Sequence, residues 1–147
     1  MDKNGPGVEM ANDKKAITNP RRAFLLETVK VDQSKGLEIG PLTSPLVTKE
    51  ELEGQGEIFY LDHMPTDELR EKYADDPSVD VDKIVPVDFV CRDGNIVEAT
   101  SSNTFDYIIA SHVIEHAPNL LQFLTDIESI LKPGGLFILI IPDKRFT

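Results

Sequence analysis

The chain has one cysteine, no tryptophan, and far fewer basic residues than acidic ones. Cys91 alone leaves no internal disulfide framework and no CxxC redox or zinc motif. A single cysteine fits a reducing compartment, so a cytoplasmic location is expected. Lys and Arg number 15 against 26 Asp and Glu, a formal net charge of −11. That balance argues against binding nucleic acid through a basic face and against attraction to an anionic membrane surface. The longest apolar run, Leu136 to Ile141, falls well short of the ~20 residues a spanning helix needs. Residues 1–19 lack the apolar stretch of a secretory signal. They are mostly polar and punctuated by Gly5, Pro6 and Gly7, which predicts a flexible arm ahead of one domain over residues 20–147. No G-x-G-x-x-G is present, which weighs against a nicotinamide-dependent oxidoreductase.

What is present is an ordinary globular composition: 147 residues, 40% apolar and 28% charged. A chain of this size buries enough surface for a real core. Asn19-Pro20 is a helix start, a capping residue followed by proline at the first helical position. Gly36 to Gly40 and Glu57 to Met64 read as strands, and Thr66 as the cap of a helix over Asp67 to Ala74. Lys83 to Val90 reads as a strand, placed at a sheet edge by Pro86. Phe105 to Ser111 is a near-continuous apolar run, the pattern of a strand buried on both faces. Asn119 caps a helix whose expected core stripe is Leu120, Phe123, Leu124, Ile127, Ile130 and Leu131; Pro133-Gly134-Gly135 stops it before a last strand, Leu136 to Ile141. The alternation predicts an α/β fold, a doubly wound, mainly parallel sheet of about five strands.

In such sheets a ligand sits outside the carboxyl ends of the strands. Gly40 follows the first strand and lets a ligand approach the backbone. Asp62 ends the second, about 20 residues beyond that glycine, the position from which a carboxylate accepts ribose hydroxyls. Its other reading is a surface aspartate. His63 follows, at the adenosine edge or in solvent. Asp88 and Phe89 close the third strand, either as an adenine contact and its stacking ring or as a loop aspartate and a core phenylalanine.

Two segments carry a resemblance. Phe105-Asp106-Tyr107-Ile108-Ile109-Ala110-Ser111-His112-Val113-Ile114-Glu115-His116 and Leu131-Lys132-Pro133-Gly134-Gly135 resemble consecutive motifs of the class I S-adenosylmethionine-dependent methyltransferases, in a methyltransferase type 11-like branch. The resemblance runs from about Gly36 to Asp143. It implies a Rossmann-like sheet, C-terminally incomplete relative to the seven-stranded methyltransferase fold, with S-adenosylmethionine as cofactor. It also implies Glu38 and Gly40 beside the methionine end, Asp62 on the ribose, Asp88 at the adenine, and Ser111 beside the sulfonium. The family's Gly-x-Gly-x-Gly is Gly40-Pro41-Leu42-Thr43-Ser44 here, with Leu42 and Ser44 at the second and third glycines.

His112, just past a strand end, reads as a candidate general base or as a structural residue. His116 reads as ordering the loop before the last helix; no third metal ligand is local, so no metal is expected. Cys91 reads as packed. The expected activity is methyl transfer to an unidentified small-molecule or glycan-related acceptor. The alternative is a non-catalytic binding or assembly domain of the same fold. The apolar Leu136 to Ile141 edge leads to one of two expectations: the chain is a piece of a longer protein, or the edge is covered by a partner, most simply a second copy of the chain.

Overall fold

The computed structural model describes residues 19–146. The arm expected over residues 1–19 lies outside them, apart from Asn19. Asn19 caps helix α1 (Pro20–Thr28), its side chain accepting from the Arg21 and Arg22 N–H groups at 3.1 and 3.3 Å. Strand β1 (Lys35–Ile39) and a short helix α2 (Lys49–Leu52) follow. Thr48 and Glu51 close α2 with a reciprocal capping box that the sequence reading missed. Next come β2 (Glu57–Asp62), α3 (Thr66–Lys72), β3 (Phe89–Val90), α4 (Ile96–Ala99), β4 (Phe105–Ser111), α5 (Leu120–Ile130) and β5 (Leu131–Ile140).

The five strands form one sheet in the order β3-β2-β1-β4-β5, every neighbouring pair parallel. This is the expected α/β architecture. β1 and β4 lie side by side at the centre, and the order reverses between them. One face buries Leu25 of α1, Val47 and Leu52 against Tyr60, Tyr107 and Ile109. The other buries Ile96 of α4 with Phe123, Ile127 and Ile130 of α5 against Leu37, Ile108 and Ala110. Among the described residues no helix is long and apolar enough to cross a membrane.

Three elements depart from expectation. β3 is only Phe89–Val90, not Lys83 to Val90. The Val85 N–H goes to Leu42 O at 2.9 Å and the Val87 N–H to Thr66 Oγ1 at 3.0 Å, so those groups are spent before a ladder can form. The same bond explains why Thr66 does not cap α3; Pro65 holds the cap position and makes no side-chain bond. The last strand starts at Leu131 rather than Leu136. Its pairing runs through a bulge, Phe105 opposite Leu131 and then Tyr107 opposite Leu136. Ile141 lies outside the strand.

The core face of α5 is also rotated from the expected stripe. Phe123, Ile127 and Ile130 are buried, whereas Leu120 and Leu124 remain 46% and 38% exposed. The helix turns Asp126 inward instead, where its Oδ1 accepts from Gln122 Nε2 at 2.8 Å. Leu124→Ala is therefore expected to change stability by less than about 1 kcal/mol, while Ile127→Ala costs about 2–5 kcal/mol. Urea unfolding of the two variants checks the ordering.

Candidate functional site

A cavity of about 690 Å³ opens at the carboxyl ends of β1, β2 and β4, at the place where the strand order reverses. Its size falls within the range of small-molecule sites. Gly40, at φ +63°, turns the chain away from β1 with its N–H on Leu61 O at 2.8 Å. A side chain is rarely accommodated at such a φ, and this glycine lines the cavity. Leu42, two residues on, also has a left-handed φ of +50° and also lines the cavity. Leucine stands here in a conformation that glycine would adopt without strain.

Asp62 ends β2 and is 7% exposed. Its Oδ1 accepts from the His63 N–H at 2.7 Å and is paired with His63 Nδ1 at 2.6 Å. Its Oδ2 has no hydrogen-bond partner among the described residues. Asp62 and His63 both line the cavity, beside Lys72 and Tyr73 from the end of α3. The turn after β3 contributes Cys91, Asp93 and Gly94. Burial pushes the Cys91 thiol up, so this wall is a neutral, packed thiol rather than a nucleophile.

β4 delivers His112. Its N–H is fixed on Ile140 O at 2.9 Å and its φ is +55°, an uncommon conformation for a side-chain-bearing residue. Such conformations collect at functional sites because the surrounding structure must hold them. His112 and His116 both line the cavity, with Asn119 and Gln122 from the start of α5. Among the described residues, no three His, Cys, Asp or Glu side chains converge as metal ligands.

Of the residues singled out from the sequence, Gly40, Asp62, His63 and His112 meet at the cavity. Glu38, Asp88, Phe89 and Ser111 do not line it. Asp88 turns back onto the sheet, its Oδ2 accepting from the Tyr60 N–H at 2.8 Å and its carboxylate pairing with Lys49 Nζ. Phe89 stacks in the core, 5.6 Å from the Phe59 ring and 6.4 Å from Phe105. The acid at this end of the cavity is Asp93, whose segment carries no spacing signal beyond an Asp-Gly turn. Leu42, Lys72, Tyr73 and Asn119 were also missed, because each reaches the cavity only through tertiary packing.

Glu38 is 1% exposed, on the opposite face of β1 from the cavity. Both its oxygens accept from the Leu46 N–H, at 2.9 and 3.0 Å, and Oε2 also accepts from the Val47 N–H at 3.4 Å. Arg22 Nη1 donates to Leu46 O and Tyr60 Oη to Val47 O, so the segment after the Gly40 turn is held by side chains on both sides. Burial pushes the Glu38 carboxyl up from 4.5 to about 7, and the two backbone N–H groups restrain the rise. Between those values the folded chain keeps a proton that the unfolded chain has released. The stabilisation is complete below the unfolded value and is lost as pH rises through about 7. The full span is worth on the order of 3 kcal/mol. Urea midpoints at about pH 5 and about pH 8 should fall with pH in the parent and flatten in Glu38→Gln. An equal slope in the variant would assign the titration to another group.

A family model described as a methyltransferase domain matches residues 12–147. The ubiquinone biosynthesis O-methyltransferase of Parvibaculum lavamentivorans is 38% identical over 53 residues, which are 36% of this chain and 21% of that protein. A solved Galdieria sulphuraria protein, described as a sarcosine dimethylglycine methyltransferase, superposes with a TM-score of 0.55 at 19% identity. The match covers 87% of this chain and 48% of that one. The CurJ carbon methyltransferase superposes with a TM-score of 0.49 at 21% identity, over 78% of this chain and 31% of that one. The chain thus spans about a fifth of the curated relative and a third to a half of these two structures. The Galdieria likeness speaks for the fold.

Proposed function

Since the chain belongs to the methyltransferase-domain family, we propose that it transfers a methyl group from S-adenosylmethionine to a small-molecule or glycan-related acceptor. The observation that carries this reading is Asp62. It is a buried carboxylate with one oxygen unpaired, in a cavity of about 690 Å³ at the switch point of a parallel sheet. S-adenosylmethionine supplies a methyl carbon already activated by its sulfonium, so alignment and exclusion of water are the main tasks left to the protein. In this reading Asp62 binds the ribose end. Gly40 lets the backbone come close, and Leu42 with Val113 walls the cavity against water. His112 takes the proton from the acceptor oxygen or nitrogen as that atom is methylated.

A second reading has its own observation. Leu42 occupies the cavity wall in a left-handed conformation at a position where the resembling motif has glycine, which suits a domain that binds without turnover. Calorimetry with S-adenosylmethionine and S-adenosylhomocysteine tests the first reading, with no binding at millimolar ligand in a folded sample as the result that sinks it. Binding without methyl loss across a panel of oxygen and nitrogen acceptors favours the second. We also infer that a second copy of the chain pairs along β5, which ends the described sheet; light scattering of a monodisperse monomer would count against it.

A further inference from the structure

The two oxygens of Asp62 are not equivalent. Oδ1 already takes the His63 backbone N–H at 2.7 Å and meets His63 Nδ1 at 2.6 Å. Two donors occupy the two lone pairs of that oxygen. On the far side of the imidazole, Nε2 lies 3.2 Å from Lys72 Nζ. An ammonium only donates, so Nε2 is the acceptor and the ring proton sits on Nδ1, aimed at Asp62. His63 is thereby held between α3 and the end of β2, and Asp62 Oδ2 is the oxygen left for a ligand. Two vicinal hydroxyls could share a single oxygen only through bent, weakened bonds.

The geometry points to His63 as a positioning residue that occupies one oxygen of Asp62, so that this site reads a single ribose hydroxyl of its nucleoside ligand instead of the diol. This rests on the reading of the cavity as an S-adenosylmethionine site and makes it more specific. A nucleoside lacking the unread hydroxyl is then a competent ligand. Lys72 contributes by fixing the tautomer and rotamer of His63.

The test is calorimetric binding of S-adenosylhomocysteine and its 2′-deoxy and 3′-deoxy analogues to the full chain. One analogue should bind within about twofold of the parent compound, and the other should lose about tenfold or more, the loss of one hydrogen bond to a charged acceptor. In His63→Ala a lone pair of Oδ1 is released, and the tolerated analogue should now lose affinity as well. That change in selectivity is one that a merely structural role for His63 would not produce. Equal losses for both analogues in the parent protein, parent-like binding of both, or an unchanged selectivity in His63→Ala would each overturn the proposal. Absence of binding by S-adenosylhomocysteine itself is a different failure. It removes the cofactor reading and this proposal with it.

Discussion

Gly36→Ala is expected to remove much of the stability of the folded state. Gly36 sits in β1 directly opposite Tyr107 of β4, and a Cβ built on it would overlap the Tyr107 ring. Tyr107 is fully buried at the centre of the sheet, packed in one cluster with Leu25, Tyr60 and Ile109, so the ring has nowhere to move. Ordinary overpacking costs about 1–3 kcal/mol because side chains and backbone can shift. Here the intruding atom is on backbone held by strands on both sides, so the cost should exceed that range and consume much of a marginal ~5–15 kcal/mol stability. Far-UV circular dichroism and urea unfolding read the result. Combining Gly36→Ala with Tyr107→Leu, which shortens the facing side chain, should restore part of the loss. A single variant unfolding at the parent midpoint would show that β1 and β4 do not approach as described.

Asp62→Ala should weaken S-adenosylmethionine binding about tenfold to a hundredfold, because a hydrogen bond to a charged group is worth roughly 1.5–3 kcal/mol. The fold should survive. The main-chain bonds at this point, Gly40 N–H to Leu61 O and Cys91 N–H to Asp62 O, are 2.8 Å each and do not involve the side chain. Affinity by calorimetry, with the unfolding midpoint measured alongside, separates the two effects. Parent-like affinity in the variant would move the ribose away from β2.

Much of this fold is written in short-range pattern. The Asn19 and Asn119 caps and the apolar run Phe105 to Ser111 are each decided by a few adjacent residues, and the structure agrees with them. The break expected at Pro133 is misplaced, since the helix ends at Ile130 and the strand already runs from Leu131. The strand at β3 and its place at the sheet edge were legible, but its length was not, since Leu42 and Thr66 claim the N–H groups of Val85 and Val87 from other parts of the chain. The helix stripe failed for a related reason. Periodicity places Leu120, Phe123, Leu124 and Ile127 on neighbouring faces, but the packing partners choose which of those faces is buried. The site divides in the same way. Position at a strand end was enough for Gly40 and Asp62. It fixed height in the sheet but not direction, because successive residues of a strand point to opposite faces. Glu38 accordingly faces the Leu46–Val47 segment, and Asp88 faces Lys49 and the backbone of β2.

The central pairing of β1 with β4 has a consequence for synthesis. The Lys35 N–H bonds to the carboxylate of Asp106, 71 residues later. At ~5–20 residues per second, a ribosome needs roughly 4 to 14 seconds to deliver that partner. Through that interval β1 can pair with β2 alone, and the backbone edge that β4 will occupy is open to any extended apolar segment nearby. The nascent chain is most exposed to mispairing after β3 has emerged and before Phe105 leaves the tunnel. A chaperone that holds extended apolar chain has most to cover in that window, and slower decoding between Arg92 and Asn103 would lengthen it.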